Sequence, residues 1–285
     1  MLVLVKWFDK VEIISKSLVQ HGPNNDRIYL MKVHPEEKVD RLIDQLHNLA
    51  LLKGYTKNFV NVPENIHHLF LNHDFKLEAT VPNLHGGLMG CFLGKYLDER
   101  RGFLMENEKR LIEVVKASDI ATDCISKDEL AAGYEIIKLT EKDVPKVAKI
   151  YKQVFQFYPF PIFKKAYLLD TIRSNVHYFG VHHKGELIAV SAAEMDIVLS
   201  HVEMTDFATL SAHRGKNLSY YLLKEMISQM LTEGIQTAYT IARAHSYGMN
   251  KTFARQGFHF GGTLIKNTLI GDTIESMNVW YKKLM

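Results

Sequence analysis

The segment from 202 to 219 joins a candidate strand to a candidate helix through a basic turn. Arg214, Gly215 and Lys216 form that turn. A helix start presents free backbone N–H groups and a positive partial charge, and basic side chains are unfavourable there unless an anion lies nearby. The combination predicts a site for a pyrophosphate group. A helix start with merely solvated basic side chains is the alternative, and the turn alone does not decide between the two.

The helix after the turn, roughly 217 to 233, repeats apolar residues on one face. These residues are Leu218, Leu222, Met226 and Met230. The spacing predicts one buried face, so the strand, the turn and the helix start surround one small space.

The composition is that of an ordinary globular protein. Of 285 residues, 47% are hydrophobic and 24% are charged, and the chain is long enough for one large domain or two small ones. The net charge of +3 is too small to indicate a nucleic-acid partner. No segment approaches the length needed to span a membrane, and the apolar run at the start is too short for a signal peptide.

Cysteine and histidine usage argues against a disulfide framework and against a metal. Cys91 and Cys124 form no Cys-x-x-Cys pair, so free thiols and a cytoplasmic location are the simplest account. Among the 14 histidines, the adjacent pairs point in different directions on any regular element, and no His-Glu-x-x-His occurs. We therefore expect no metal site.

The chain divides into an N-terminal α/β region at 1–117, a polar connection at 118–133 and a C-terminal domain at 134–285. In the first region, periodicity predicts strands at 27–33, 57–62, 75–81 and 91–97, and helices at 36–53, 63–73 and 106–117. In the C-terminal domain, besides the strand and helix around the basic turn, it predicts strands at 134–139, 177–182, 187–196, 236–243, 258–266 and 275–282, and helices at 140–155, 164–174 and 246–256.

The basic turn resembles the acyl-CoA pyrophosphate loop of the GNAT superfamily of N-acetyltransferases, written Arg/Gln-x-x-Gly-x-Gly/Ala. Asn217 stands where the family usually has its middle Gly, and Ser219 where it has the final Gly or Ala. Both residue types are small or tolerate unusual backbone angles. The predicted order, β-α-α-β-β-β-α-β-α-β-β, is that of a GNAT domain, with the turn after the fourth strand. The resemblance implies an α/β (α+β) GNAT acetyltransferase fold in the C-terminal half, with acetyl-CoA as acyl donor.

Six segments of the C-terminal domain resemble one family within that superfamily, the beta-lysine N-acetyltransferases. They are 158–161, 203–209, 237–244, 248–250, 260–264 and 275–282. The first half of the chain is also similar to that family's N-terminal region. The family acetylates the terminal amine of beta-lysine (3,6-diaminohexanoate). The resemblance therefore implies an N-acetyltransferase of lysine metabolism that acts on a small diamino acid.

The resemblance also assigns residues to acetyl-CoA. Backbone groups of the fourth strand that would contact it belong to Phe207, Ala208 and Thr209. The turn residues that would hold its pyrophosphate are Arg214, Gly215, Lys216, Asn217, Leu218 and Ser219. Asn250 matches a cofactor-contacting Asn at the start of the helix after the fifth strand. Phe253 departs from the family, because a Tyr usually stands there and protonates the leaving thiolate. Tyr281, Tyr247 or water would have to donate that proton, or the thiolate leaves unassisted.

Acetyl transfer to an amine also needs a group that removes a proton, since an alkyl ammonium ion has a pKa of about 10.4. Glu203 and Asp206, on the strand before the turn, are the candidate bases, and Glu194 on the preceding strand could bind a substrate ammonium. Solvated strand carboxylates are the alternative for all three. Residues three apart on a strand face opposite sides unless a bulge intervenes, so we expect only one of the two bases to point into the site.

Three further residues are candidates for substrate binding. Arg243, at the end of the fifth strand, could hold a substrate carboxylate through a bidentate pair. Tyr158 and Phe160 lie in a proline-containing stretch that would wall the substrate pocket. A surface arginine and a core-packing connection are the respective alternatives.

The N-terminal region contains a pattern that is similar to part of the C-terminal domain. Residues 69–77 resemble 252–260 in spacing and in the elements before them. This predicts a degenerate half-GNAT unit without a phosphate loop, with two sheets packed in pseudo-symmetry. The region would then be structural or would wall the substrate pocket.

Two other functions remain compatible with the sequence. Phe253 and Asn217 favour an acyl-CoA-binding sensor without turnover, and the fold would also suit acetylation of another small amine or of a protein lysine. No basic patch indicates nucleic acid, and no segment indicates a membrane partner. The sequence leaves the oligomeric state open, a homodimer included.

Overall fold

The computed structural model describes residues 9–120, 130–156 and 158–285. In its N-terminal part the elements are β1 (Lys10–Ile14), β2 (Ser17–Gly22), β3 (Arg27–Lys32), α1 (Val39–Lys53), β4 (Lys57–Pro63), α2 (Glu64–Leu71), β5 (Lys76–His85), β6 (Leu88–Tyr96) and α3 (Glu106–Ile120). In its C-terminal part they are β7 (Tyr134–Lys138), α4 (Val144–Val154), α5 (Lys165–Ser174), β8 (Val176–His183), β9 (Glu186–Asp196), β10 (His201–Thr209), α6 (Leu218–Thr232), β11 (Thr237–Arg243), α7 (Tyr247–Arg255), β12 (His259–Ile270) and β13 (Thr273–Lys283).

The predicted element order of the C-terminal part is confirmed. The helix predicted from 140 begins as a short 3₁₀ turn at Glu141–Asp143, and Thr140 caps it in a reciprocal pair with Asp143. In the N-terminal part, β1 and β2 were not predicted, and α3 runs three residues beyond its expected end. Of the predicted connection at 118–133, residues 121–129 lie outside the described residues.

All thirteen strands form one sheet, in the order β1-β2-β3-β4-β6-β5-β12-β13-β11-β10-β9-β8-β7. The expectation of two packed sheets is therefore wrong, because the two parts meet edge to edge where β5 pairs with β12. Gly262 stands opposite Ala79 in that pairing. A Cβ on Gly262 would lie 2.2 Å from the carbonyl oxygen of Glu78, so this close approach requires glycine.

The two parts of the sheet share one topology. The order β1-β2-β3-β4-β6-β5 corresponds strand for strand to β8-β9-β10-β11-β13-β12, and β3–β4 and β10–β11 are both parallel pairs. The helices α1 and α2 occupy the same places in the connections as α6 and α7. On this correspondence we propose the division into an N-terminal unit, 1–117, and a C-terminal unit, 134–285.

Helices cover the outer faces of the sheet, and the inner faces of the two units share a core. Helices α1 and α2 pack on the N-terminal strands, α6 and α7 on one face of the C-terminal strands, and α4 and α5 on the other face. The shared cluster includes Phe59 and Phe92 of the N-terminal unit with Tyr239 and Met277 of the C-terminal unit. Each such aromatic side chain contributes roughly 2–3 kcal/mol by its burial, so the sheet is held in a curve that brings β3 and β4 towards β10 and β11.

Buried cations of the N-terminal unit also bind the backbone of β12. The register of β12 against β13 shifts between Leu264 and Thr268, which frees the carbonyl groups there. Lys57 Nζ donates to the Ile265 carbonyl oxygen at 2.8 Å, Arg101 Nε to that of Lys266 at 3.1 Å, and Arg27 Nη1 to that of Asn267. These bonds fix the two units relative to one another around the cavity.

No helix in the described ranges is long and apolar enough to cross a membrane.

Candidate active site

A cavity of about 440 Å³ lies between the two units, within the size range of small-molecule sites. Strands β10 and β11 form one wall, strands β2 to β4 form the facing wall, and the segment between α4 and α5 closes a side. The cavity is therefore built from both units and from the proline-containing stretch.

Glu203 and Asp206 both face this cavity because β10 carries a bulge. Thr205 pairs with Ala192 but Ala208 pairs with Val190, so two residues of β10 stand opposite one residue of β9. Asp206 adopts a φ of 57°, in the left-handed region. The expectation that only one of the two carboxylates points into the site is wrong, since the extra residue turns Asp206 to the side of Glu203.

The pKa of Glu203 is raised to about 8. Burial in the cavity wall is the main cause and the negative charge of Glu194 adds to it, while a hydrogen bond from Tyr239 Oη, at 3.0 Å from Oε2, opposes the shift. A carboxyl group with such a pKa accepts a proton near neutral pH far more readily than an ordinary glutamate does.

Burial also raises the pKa of Asp206, to about 6, against hydrogen bonds from Tyr158 Oη and from Thr205 Oγ1 at 3.2 Å. Glu194 also lines the cavity. Its pKa is raised, mainly because the surrounding walls bury it and also because of the negative charge of Asp206. Glu194, Glu203 and Asp206 thus face one space, where neighbouring negative charge disfavours the ionised forms of Glu194 and Glu203, an arrangement that suits a cationic ligand.

Strands β10 and β11 separate beside these carboxylates. Their parallel pairing covers only His201–Glu203 with Thr237–Tyr239, and no pair follows it among the described residues. The cavity continues into the resulting gap, where Met204, Phe207 and Thr240 line it. Beyond Thr205, backbone groups of β10 on that side are therefore available to a ligand entering the gap.

The basic turn follows β10 with the backbone that a phosphate group needs. Gly215 has a φ of 77° and Asn217 a φ of 55°, and α6 begins one residue later. A Cβ on Gly215 would have no atom within 4 Å, so the turn is open in front of it. Arg214 Nε donates to the Thr209 carbonyl oxygen at 3.2 Å, and Lys216 Nζ bonds to Tyr134 Oη at 2.6 Å. The turn therefore offers backbone N–H groups, a helix start and two exposed cations to one anion.

Comparisons with known proteins agree with this geometry. Residues 144–258 match the acetyltransferase (GNAT) family. The chain is 35% identical over 283 residues to the beta-lysine N(6)-acetyltransferase of Methanococcus maripaludis, covering 96% of this chain and 98% of that one. The chain belongs to the beta-lysine N(6)-acetyltransferase family, within the GNAT acetyltransferases.

Two further relatives are similar to this acetyltransferase. It is 34% identical over 158 residues to the beta-lysine N(6)-acetyltransferase of Methanosarcina mazei, covering 55% of this chain and 58% of that one. It is 27% identical over 270 residues to the N-acetyltransferase YodP of Bacillus subtilis, covering 94% and 96%. The protein is thus an N-acetyltransferase, and acetyl-CoA is its acetyl donor.

The residues of the gap and the turn fit acetyl-CoA. Phe207 lines the gap, Ala208 and Thr209 follow it at the end of β10, and the turn at 214–217 beyond them is exposed. The side chain of Leu218 is buried in the core beneath α6, so this residue can offer only its backbone to the donor. Ser219 follows it in the first turn of the helix.

Two residues that were expected to contact the cofactor, Asn250 and Phe253, instead have buried side chains that stabilise the core of this acetyltransferase. The Asn250 side chain is buried, donates to the carbonyl oxygens of Arg243 and Ser246, and accepts from Trp280 Nε1 at 2.8 Å and from Asn278. With its amide hydrogens and its oxygen engaged, this side chain joins α7 to β11 and β13 and has no hydrogen left for acetyl-CoA. Phe253 lies at the gap and packs edge-on against Phe207 at 5.7 Å between ring centroids.

Tyr281 does not line the cavity and instead packs beside His259, with ring centroids 5.8 Å apart. The structure therefore gives no support to its predicted role as proton donor. Tyr247, the other tyrosine considered, is on the exposed side of α7 and does not line the cavity either.

The predicted substrate residues lie at the cavity, but one of them is engaged elsewhere. Tyr158 and Phe160 line it, and Tyr158 donates to Asp206. Arg243 reaches the cavity, yet its Nε and Nη2 form a bidentate pair with Glu275 at 2.9 and 2.6 Å. This pair occupies the guanidinium edge that a substrate carboxylate would need.

The sequence did not identify the N-terminal residues of the site. Those that line the cavity include Gln20, Arg27, Tyr29, Phe59 and Asn61. The only available signal was the alternation in the predicted strands 27–33 and 57–62, which places every second residue on one face. Alternation does not reveal that this face looks towards β10.

Proposed function

We propose that this enzyme transfers the acetyl group of acetyl-CoA to the terminal amine of beta-lysine, forming N6-acetyl-beta-lysine. The observation that carries the proposal is a cavity lined by the carboxyl groups of Glu194, Glu203 and Asp206 that continues into the gap between β10 and β11. The names of the relatives in Methanococcus maripaludis and Methanosarcina mazei support beta-lysine as the substrate.

Glu203 acts as the base in this proposal. A proton moving from an alkyl ammonium ion, with a pKa of about 10.4, to a group with a pKa of about 8 crosses a gap of roughly 3 kcal/mol. The same transfer to a carboxyl group at 4.5 would cost about 8 kcal/mol. Burial of Glu203 thus makes the neutral amine accessible near neutral pH.

Asp206 and Glu194 hold the cationic substrate next to that base. Tyr158 fixes the Asp206 carboxyl by its hydrogen bond, and the bulge of β10 keeps it beside Glu203. The thioester of acetyl-CoA supplies an activated acyl carbon when it is bound. Backbone N–H groups of β10 next to the gap are placed to polarise its carbonyl oxygen.

Phe253 has no proton to donate to the leaving thiolate, and Tyr281 lies outside the cavity. We propose that the thiolate leaves without a side-chain acid and takes up the second proton, which the nitrogen loses as the amide bond forms and the C–S bond breaks. A thiol has a pKa of about 8.5, so its anion is a modest base and an acceptable leaving group. Phe253 then serves to exclude water from the gap.

Mass spectrometry of the products from acetyl-CoA with beta-lysine, lysine or spermidine tests the function. We expect a single acetyl group on the terminal nitrogen of beta-lysine. Tight binding of acetyl-CoA without product from any of the amines would instead support a sensor, and a preference for spermidine would reject the amino acid substrate.

We also propose a cytoplasmic location, supported by the buried free thiol of Cys91. Fractionation of cells that produce the protein tests this directly, and recovery outside the cytoplasmic fraction would contradict it.

A further inference from the structure

Arg27, at the start of β3 in the N-terminal unit, is a buried cation that lines the cavity. Only 5% of its surface is exposed. Its Nη1 donates to the carbonyl oxygen of Asn267 and approaches Thr268 Oγ1 at 3.5 Å. Its Nε has no acceptor, and no bond from Nη2 to a described residue is present. The N–H groups of Nε and Nη2 therefore lack acceptors among the described residues, and they lie beside a space that a ligand can fill.

No carboxylate in the described ranges pairs with Arg27. The acids whose charges reach it are Asp9 and Glu78. Asp9 accepts hydrogen bonds from Asn25, and Glu78 binds Lys57 at 2.9–3.0 Å. A buried charge without a partner is strongly destabilising, and an anion bound in the adjoining cavity would supply the missing partner.

The other cations at the cavity are already paired. Lys32 lies 3.2 Å from Asp196, and Arg243 is held by Glu275. Arg27 instead stands over the rings of Tyr29 and Phe59, 5.2 and 5.4 Å from their centroids, which fixes its plane without neutralising it. Arg27 is thus the cation of the described cavity lining that remains available to an anion.

Two neighbouring side chains extend this site. Gln20 faces the cavity from β2, opposite Tyr29, and its Nε2 is a buried donor without an acceptor among the described residues. Asn267, whose carbonyl oxygen accepts from Arg27, has a buried side-chain Oδ1 to which no group in the described ranges donates. Donors on Arg27 and Gln20 match a carboxylate, and an acceptor beside them matches an adjacent ammonium group.

We propose that Arg27 binds the carboxylate of the substrate, and that the N-terminal unit thereby selects amino acids over plain amines. The inference rests on the proposed function and adds the substrate's orientation to it. Tyr29, about 7 Å along β3 from Arg27, packs against the shared cluster that contains Tyr239, and Tyr239 donates to Glu203. The carboxylate therefore lies at the Arg27 end and the terminal amine at the carboxyl end of the same cavity.

The test compares beta-lysine with its carboxamide, which has the same length and both amines but no negative charge. In the unaltered enzyme we expect a lower KM for beta-lysine. Arg27→Gln should raise KM for beta-lysine about 10- to 100-fold, the effect of losing a charge-assisted bond. It should change KM for the carboxamide by less than about threefold and leave kcat similar, because the carboxylate is remote from the reacting nitrogen.

Two other variants make the result specific. Lys32→Gln removes a cation from the same strand and should keep the preference for the carboxylate. Arg243→Gln removes the arginine that the sequence favours for this role and should keep it as well. Two results would overturn the proposal. One is loss of the preference for beta-lysine in Arg243→Gln, and the other is an equal rise of KM for beta-lysine and its carboxamide in Arg27→Gln.

Arg27 also ties β12 to the N-terminal unit, so melting temperature and circular dichroism must accompany each variant. If Arg27→Gln does not fold, Arg27→Lys replaces it, because lysine keeps the charge but loses the planar fork. An unchanged preference in Arg27→Lys would then count against the proposal. If the unaltered enzyme does not acetylate beta-lysine but acetylates another amine, the proposed function is wrong, while the role of Arg27 is still open to test. The preference between that amine and its carboxylated counterpart then decides the role of Arg27.

Discussion

Tyr239 Oη lies 3.0 Å from Glu203 Oε2, across the last paired residues of β10 and β11. The tyrosine is buried, and the negative charge of Glu203 helps to raise its pKa well above the ordinary value, after burial itself. It therefore remains a donor at all pH values at which the enzyme would work. Its bond lowers the pKa of Glu203 from where burial and Glu194 alone would place it.

Removing this bond by Tyr239→Phe should shift the pH dependence of kcat/KM. The base must be deprotonated, so activity rises with pH through the pKa of Glu203, about 8 in the free enzyme. Without the hydrogen bond the midpoint should move up by about 1 pH unit. Initial rates between pH 6 and 10 measure this. Tyr55→Phe, a buried tyrosine outside the cavity, is the control, and an unshifted midpoint in Tyr239→Phe would exclude Glu203 as the base.

Replacing the base itself should reduce catalysis far more than substrate binding. We expect Glu203→Gln to lower kcat/KM by about 10²- to 10⁴-fold, the usual contribution of general base catalysis, and to abolish the rise of activity towards pH 8. Glu186→Gln, at an exposed end of β9, should behave as the unaltered enzyme. Retention of more than a tenth of the activity in Glu203→Gln would assign the base to another group, Asp206 first.

The same substitution should change how stability depends on pH. The folded-state pKa of Glu203 lies above its ordinary value, so the folded protein binds more protons than the unfolded chain between pH 4.5 and about 8. The free energy of unfolding should therefore fall as pH rises through this window, and Glu203→Gln should flatten the part between pH 6 and 8. Urea titrations at several pH values measure this. Parallel curves for the two proteins would show that Glu203 is not buried as described.

Reversing the charge of Arg214 should weaken acetyl-CoA binding and leave the fold intact. The side chain is exposed and its one described bond goes to the Thr209 carbonyl oxygen, so stability should change by less than about 0.5 kcal/mol. Loss of a contact to phosphate predicts a Kd about 10- to 100-fold higher for Arg214→Glu, by calorimetry. Arg110→Glu, an exposed arginine on α3, serves as control. An unchanged Kd in Arg214→Glu would remove the turn from the cofactor site.

The Lys57–Glu78 pair should be necessary for joining the two units. Both side chains are almost fully buried, and Lys57 also holds the backbone of β12. Lys57→Met should lower the free energy of unfolding by about 3–5 kcal/mol, because it leaves a buried carboxylate unpaired. The double variant with Glu78→Leu should recover part of this loss. Lys16→Met, which breaks an exposed pair with Glu36, should cost under about 1 kcal/mol.

Element order was predictable where hydrophobic periodicity is strong, as in α1 with its buried Leu42, Ile43, Leu46 and Ala50. Strand β2 was missed because it buries Gln20 and His21, which interrupt the apolar pattern. The partners that make a buried histidine acceptable, Glu12 and Tyr55 for His21, come from other elements of the chain. Local sequence does not contain this information.

The site was predictable in its residue types but not in its geometry. Glu203 and Asp206 were identified by their place before the turn, whereas the bulge that unites them depends on the register with β9. Arg243 is half exposed and pairs with a carboxylate, whereas Arg27 is buried and pairs with no carboxylate of the described residues. Glu275, which pairs with Arg243, is 32 residues away, so local sequence does not reveal that this guanidinium is already engaged.

The pairing of β5 with β12 has a further consequence for the isolated C-terminal unit. Taken alone, that unit would expose the long β12 with unpaired backbone groups, and such an edge recruits strands from other molecules. The N-terminal unit therefore protects the edge of β12 against aggregation, in addition to forming one wall of the cavity. Loss of the N-terminal unit would leave a protein prone to self-association even though the cavity carboxylates of β9 and β10 and the basic turn remain in its sequence.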